Sequence, residues 1–192
     1  MLEVEAKFRL PDPPAFRRRL EALAAVPLGE HTEADIYLNA PDRDFARTDE
    51  SLRLRVGGAG TVLTYKGPRL NRAAKTRVEC EAAVPAGPDY AAKMLELLTH
   101  LSYKTVAEVS KRRRMHELRR GPFTVHVCED DVEKVGQFVE IEILVPSDED
   151  ADAATAVLHE LAAHLQLTEP EPRSYLEQLL GRTVVPGGEK KC

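Results

Sequence analysis

Charged residues recur at every second position on stretch after stretch of this chain, and that period dictates strands with one polar and one apolar side. At the N-terminus Glu3, Glu5 and Lys7 alternate with Leu2, Val4, Ala6 and Phe8. Side chains alternate across a strand, so two carboxylates and an ammonium share one side. A packed apolar core excludes that side unless its charges are paired. It faces either bulk water or a site where metal cations and a polyanion neutralise it.

The same period returns at Arg53 and Arg55, at Thr64 and Lys66, at Lys75, Arg77, Glu79 and Glu81, at Lys111 and Arg113, at His126, Cys128 and Asp130, and at Glu140 and Glu142. Acids dominate the first and last of these stretches, bases the middle ones. A sheet with one solvated face also alternates charged and apolar residues. Solvated faces, however, mix signs along each strand to gain cross-strand pairs, and here the signs are sorted. If the sheet curls until its first and last strands approach, Glu3 and Glu5 come near Glu140 and Glu142 and face a wall of Arg and Lys. One half of such an interior binds hard cations through oxygen ligands, and the other half binds phosphates. Alternate residues lie about 6.6 Å apart along a strand, within reach of Glu side chains converging on one or two ions. An all-carboxylate set lacking His and Cys favours Mg2+ or Mn2+. The competing reading is salt bridging across a filled barrel.

Turn signals divide the chain into strands at residues 2–10, 31–39, 51–57, 61–66, 76–84, 104–119, 122–130 and 137–145, with helices at 14–25, 89–100, 148–166 and 174–181. Strands of this number that must hide their edges close into a barrel. The expected fold is therefore α+β: an eight-stranded antiparallel β-barrel, or tunnel, with helices packed outside. A chain of 192 residues with 43% hydrophobic content suits one domain, placed at residues 1–182, and residues 183–192 read as a disordered tail. The net charge of −5 argues against a nucleic-acid binder. No apolar run approaches the ~20 residues that span a bilayer, and the N-terminus lacks a secretory layout, so a soluble, cytoplasmic protein with no membrane contact is expected. Cys80, Cys128 and Cys192 are odd in number and widely spaced, which suits free thiols. Alternation divides the run Lys111 to Arg114 between two sides and leaves Arg112 and Arg114 as plain surface. His159 and His164 are off metal-pair spacing, and no phosphate-binding glycine loop or nucleophile motif is present.

Glu3-Val-Glu-Ala-Lys7 resembles the ExExK signature of the CYTH superfamily, the triphosphate tunnel metalloenzymes. Asp35-Ile-Tyr37, Ser51 to Arg55, Lys66-Gly-Pro68, Lys111-Arg-Arg113, Asp130 to Gly136 and Phe138 to Glu142 resemble family blocks in order, over Leu2 to about Leu180. Glu171-Pro-Arg-Ser-Tyr175 looks most like the class IV adenylate cyclase branch. The resemblance implies a triphosphate substrate bound with divalent metal. It implies metal ligation by Glu3, Glu5 and Glu140 assisted by Asp130 and Glu142, and phosphate contacts from Lys7, Arg53, Arg55, Lys66, Arg77, Lys111 and Arg113. Lys7, Glu5 and Arg113 form the implied catalytic set, and family habit suggests a homodimer.

The expected reaction is cyclisation of ATP to 3′,5′-cyclic AMP and pyrophosphate. The alternatives are hydrolysis of tripolyphosphate or thiamine triphosphate in the same tunnel, and binding of a nucleotide or polyphosphate without turnover. Carboxylates beside an anion serve a mere binder only if metal bridges them.

Overall fold

The alternating stretches become eight strands of one antiparallel sheet. The computed structural model describes residues 2–57, 60–68, 78–85 and 88–181. The strands are β1 (Leu2–Arg9), β2 (Val26–Asn39), β3 (Ser51–Gly57), β4 (Gly60–Lys66), β5 (Glu79–Val84), β6 (Lys104–Arg120), β7 (Phe123–Val132) and β8 (Gly136–Val145), and they pair in the order β1-β8-β7-β6-β2-β3-β4-β5. β1 and β5 are therefore the ends of the sheet. Curling brings the ends together, close enough for the Glu3 carboxyl on β1 to sense Lys66 on β4 and Glu79 on β5. The expected tunnel is thus a curled sheet, without a β1–β5 ladder among the described residues. The expected tail, residues 183–192, lies outside the described residues.

The helices are α1 (Pro13–Ala22), α2 (Phe45–Thr48), α3 (Pro88–His100), α4 (Ala151–His164) and α5 (Tyr175–Leu179). Asp12 caps α1 by accepting a hydrogen bond from the Ala15 amide at 3.0 Å, with Pro13 fixing the first turn. The helix ends at Ala22, three residues short of the expected 25, because Ala24 turns into the left-handed region at φ 54°. The one-turn α2 went unforeseen; its cap is Asp44, which accepts from the Ala46 amide at 3.1 Å.

The apolar side of β1, β7 and β8 (Phe8, Val125, Val127, Val139, Ile141, Ile143) packs against Phe16 and Leu20 of α1 and Leu158 and Leu161 of α4. Leu52 and Leu54 of β3 pack with Leu98 of α3 and Phe45 of α2 in a second cluster. Helices thus cover the convex side, and the charged positions are left on the concave side. A third cluster sits on the concave side at one end, where Tyr175 of α5 packs with Val109, Val132, Phe138 and Tyr37. The segment leading into α5 also covers the open edge of β1: the Arg9 amide donates to the Glu169 carbonyl and the Glu171 amide to the Lys7 carbonyl, each at 2.8 Å.

Gly57 ends β3 opposite Glu33 of β2, at φ +119°, and a Cβ there would lie 2.3 Å from the Thr32 carbonyl oxygen. Gly57→Ala is expected to lower stability by about 2 kcal/mol, read as a shift of the urea unfolding midpoint against wild type.

Candidate active site

The concave face can be read row by row from the strand register. One row runs Glu117, His126, Glu142, Glu5 across β6, β7, β8 and β1; the next runs Met115, Cys128, Glu140, Lys7; the third runs His31, Arg113, Asp130 from β2 to β7. On the other half of the sheet Asp35 stands opposite Arg55, Tyr37 opposite Arg53, and Lys66 opposite Glu79. The structure therefore gathers Glu3, Glu5, Lys7, Arg53, Arg55, Lys66, Lys111, Arg113, Asp130, Glu140 and Glu142 on one concave surface. Arg77 lies outside the described residues. Arg112 and Arg114 point to the convex side, paired with Asp131 at 2.9 Å and Glu129 at 3.2 Å.

Arg113 is the hub of the acidic half. Its guanidinium grips Asp130 with two hydrogen bonds, Nε to Oδ1 at 2.7 Å and Nη2 to Oδ2 at 2.6 Å. It also donates to Glu140 and, at 3.3 Å, to Glu142. Burial works against the Arg113 charge, but Asp130 and Glu140 outweigh it and hold the pKa well above the ordinary arginine value. Burial likewise opposes the Glu140 charge, and Arg113, Lys7 and Lys111 overcome it, so Glu140 titrates below the ordinary range. Glu142 goes the other way: burial and then Glu140, Glu3 and Glu5 push its carboxyl up despite Arg113. Glu3 is also raised, through desolvation at the cavity wall and the charges of Glu5, Glu79 and Glu140, although its side chain still reaches solvent.

Two acids that sequence reasoning left out of the site stand within the basic wall. Asp35, almost fully buried, accepts two hydrogen bonds from Arg55, at 2.6 and 2.8 Å, and one from Lys111 at 3.2 Å, with Arg53 at 3.6 Å. Glu33 lies 2.6 Å from the Lys111 ammonium, 3.2 Å from Arg55 and 2.9 Å from His31. The expected confrontation of an acidic wall with a basic one is therefore an interleaving, with Arg113 set among acids and Glu33 and Asp35 among bases. The period-two placement of Glu33 and Asp35 beside Ala34 and Ile36 carried that signal. Tyr175 is the other omission. Its hydroxyl donates to Asp130 Oδ2 at 2.8 Å, and its ring lies 4.2 Å from Lys7 Nζ and 5.9 Å from Lys111 Nζ. Burial, Glu140 and Asp130 hold the phenol well above its ordinary pKa, so it remains a donor. Cys128 is fully buried on this face, and burial pushes its thiol up, which leaves it inert.

The donor set fits a hard cation. Glu3, Glu5, Glu140 and Glu142 offer carboxylate oxygen, and Glu3 and Glu142 are raised first by desolvation and then by the neighbouring carboxylates. Among the described residues no three acids are already drawn into one ligand sphere, and Arg113 takes part of the role a cation would take by pairing Glu140 and Glu142. Asp130 has both oxygens engaged, by Arg113 and Tyr175. It holds the frame more readily than an ion.

The fold is thus a curled antiparallel sheet whose concave face is lined by interleaved acids and bases and whose convex side is covered by helices. The chain belongs to the CYTH domain family, whose pattern matches residues 1–175. It is 34% identical over 178 residues to adenylate cyclase CyaB of Aeromonas hydrophila, covering 90% of this chain and 86% of that one. It is 30% identical over 179 residues to a candidate adenylate cyclase of Methanocaldococcus jannaschii, MJ0240, covering 92% and 98%. The solved structure of the PH1819 protein from Pyrococcus horikoshii OT3 superposes with a TM-score of 0.82 at 34% identity, covering 94% of this chain and 99% of that one.

Burial works to raise the pKa values of Asp35 and Glu33, but their cationic partners prevail: Asp35 lies well below the carboxylate range and Glu33 is held at about 2. Depressed folded values mean stability that is present above the unfolded carboxylate range, near about pH 4, and lost as pH falls toward about 2. Urea unfolding across that window should show Asp35→Asn to be less stable than wild type by about 3 kcal/mol at neutral pH, with a shallower loss on acidification. Parallel pH profiles for the two proteins would contradict this account.

Proposed function

We propose that this protein is a divalent-metal-dependent adenylate cyclase that converts ATP to 3′,5′-cyclic AMP and pyrophosphate on the concave face of the sheet. The observation that carries the proposal is the convergence of Lys7, Lys111 and Arg113 beside Glu5, Glu140 and Glu142 in adjacent rows. The names of the two relatives support cyclisation as the reaction. Among the described residues the concave acids Glu3, Glu5, Glu33, Asp35, Glu79, Glu81, Glu117, Asp130, Glu140 and Glu142 stand among the bases Lys7, Arg9, Arg53, Arg55, Lys66, Lys111, Arg113 and Arg119. A triphosphate meets those acids as well as the bases, and cations bound with it would offset them.

Glu3, Glu5 and Glu140 would hold Mg2+ or Mn2+, which would supply Lewis-acid polarisation of the α-phosphate and would make the ribose 3′-hydroxyl more acidic. The chain's own groups do the rest. Lys7, Lys111 and Arg113 neutralise charge that grows on the departing pyrophosphate as the bond from O3′ to the α-phosphorus forms and the bond from that phosphorus to the bridging oxygen breaks. Arg53, Arg55 and Lys66 hold the outer phosphates and fix the register. The hydroxyl proton passes to the carboxylate of Glu142, whose raised pKa suits an acceptor and which stands opposite Glu5 across β8 and β1. No covalent enzyme intermediate is needed. The other reaction that this constellation permits is attack of water on the terminal phosphorus, and the two differ in which phosphorus faces the nucleophile.

Purified protein incubated with ATP and Mg2+ or Mn2+ and resolved by chromatography should yield cyclic AMP and pyrophosphate. Chelation should stop turnover, and restoring either ion should restart it. Glu140→Ala should reduce turnover by at least about a hundredfold with the circular dichroism spectrum retained. ADP and phosphate as the products would overturn the cyclase reading, and turnover that survives Glu140→Ala would overturn the site.

A further inference from the structure

We infer that Glu33 is a displaceable internal counter-anion: it occupies Lys111 until a polyphosphate takes its place, withdraws toward His31 while the ligand is bound, and so sets how tightly the concave face holds its anion. This role rests on the triphosphate reading above and adds to it a residue that regulates affinity.

On that reading Lys111 meets the phosphates, yet its side chain is only 1% exposed. Two acids cover it. Glu33 Oε2 lies 2.6 Å from the ammonium and Asp35 Oδ2 lies 3.2 Å from it. An anion reaches Lys111 only if one of those carboxylates gives up its place.

The two acids are held differently, and the difference identifies the one that moves. Asp35 is 1% exposed and accepts hydrogen bonds from Arg55 Nε and Nη2 at 2.6 and 2.8 Å, as well as from Lys111. It is fixed. Glu33 Oε2 is buried without a well-aligned hydrogen bond, although two cations stand beside it. Arg55 Nε carries a single N–H, which Asp35 accepts, so the 3.2 Å contact of that nitrogen with Glu33 is attraction of charge alone. The other oxygen, Oε1, lies 2.9 Å from Nε2 of His31, two residues away on the same side of β2. His31 keeps 27% of its side chain exposed. The seat beside it is the wetter of the two.

Rotation about the side-chain torsions of Glu33 carries its carboxylate away from Lys111 without moving β2. Lys111 then keeps Asp35 and gains a phosphate oxygen, while Glu33 keeps His31. No buried charge is left alone. The price of entry is a lower apparent affinity, set by how much of the time Glu33 occupies the ammonium. Its return to Lys111 favours departure of the phosphate.

The test is equilibrium binding of tripolyphosphate and of pyrophosphate, each with Mg2+, to wild type, Glu33→Gln, Glu117→Gln, His31→Asn and the Glu33→Gln/His31→Asn double variant, with thermal melts to confirm folding. Glu33→Gln should tighten both ligands by about tenfold. Glu117, further along β6 and paired with His126 at 3.4 Å, controls for loss of a negative charge from the same face, and its replacement should change binding by no more than about twofold. His31→Asn should weaken both ligands by about threefold in the wild-type background and change nothing once Glu33 is replaced. Unchanged or weaker binding by Glu33→Gln, equal tightening by Glu117→Gln, or a His31 effect that survives in the double variant would each overturn the role of Glu33 and leave the triphosphate reading in place. If Glu33→Gln does not fold, weaker binding by His31→Asn sustains the role and unchanged or tighter binding overturns it. Failure of wild type to bind either ligand removes the triphosphate reading and the role of Glu33 with it.

Discussion

A guanidinium buried among three carboxylates is the interaction on which the arrangement of the tunnel depends. Arg113 is 7% exposed and Asp130 is fully buried, so neither could lose its partner without leaving an unpaired charge in a place water barely reaches. Asp130 also accepts the Tyr175 hydroxyl, and one carboxylate thereby ties β6, β7 and α5 together. Buried ion pairs of this kind seldom add net stability, because desolvation offsets the attraction. What they provide is fixed direction. Lys7 lies over the Tyr175 ring and Glu140 leans on Arg113, so the charges stand in place before any ligand arrives and little reorganisation remains to be done.

The same logic operates across the tunnel at Asp35, which binds Arg55 and Lys111 and lies near Arg53. In the resting protein those cations are thus matched by internal acids. This matters for selectivity, because an incoming anion must share a base that already has an acid beside it. A singly charged anion gains too little. A triphosphate spans several bases at once, and with divalent cations to pair the acids of β1 and β8 both halves of the lining find opposite charge. On the function proposed above, the interleaving of signs favours metal-loaded polyanions more strictly than two separate walls of opposite charge would.

Much of this was legible in the sequence because a strand has a period of two that no other element imitates. The rows of β1, β3, β4 and β8 followed from counting along Glu3, Glu5 and Lys7, along Arg53 and Arg55, along Thr64 and Lys66, and along Glu140 and Glu142. The expected approach of β1 to β8 is met by a direct antiparallel ladder, not by curling of the sheet's ends, which are β1 and β5. Sorting by sign failed on β2, where Glu33 and Asp35 sit among the bases, because each base needs a buried counterpart and that requirement operates across strands. Tyr175 was out of reach for a different reason. It enters the site from a five-residue helix, and only tertiary packing carries that helix to Asp130, 45 positions away in sequence. The early end of α1 and the short α2 were set by single left-handed residues, Ala24 and Asp49, which helical periodicity does not register.

Tyr175 closes one end of the concave face. The end occupied by Tyr175 is also where the segment at residues 169–171 lies along β1, so the closing helix and the covering of the sheet edge are parts of one device. Glu171, itself buried, secures that device by accepting hydrogen bonds from Arg9 at 2.7 Å and from Arg173 at 2.7 and 2.9 Å. Those partners hold its carboxyl at about 2, below its ordinary range, so the closure stays intact throughout the neutral pH range.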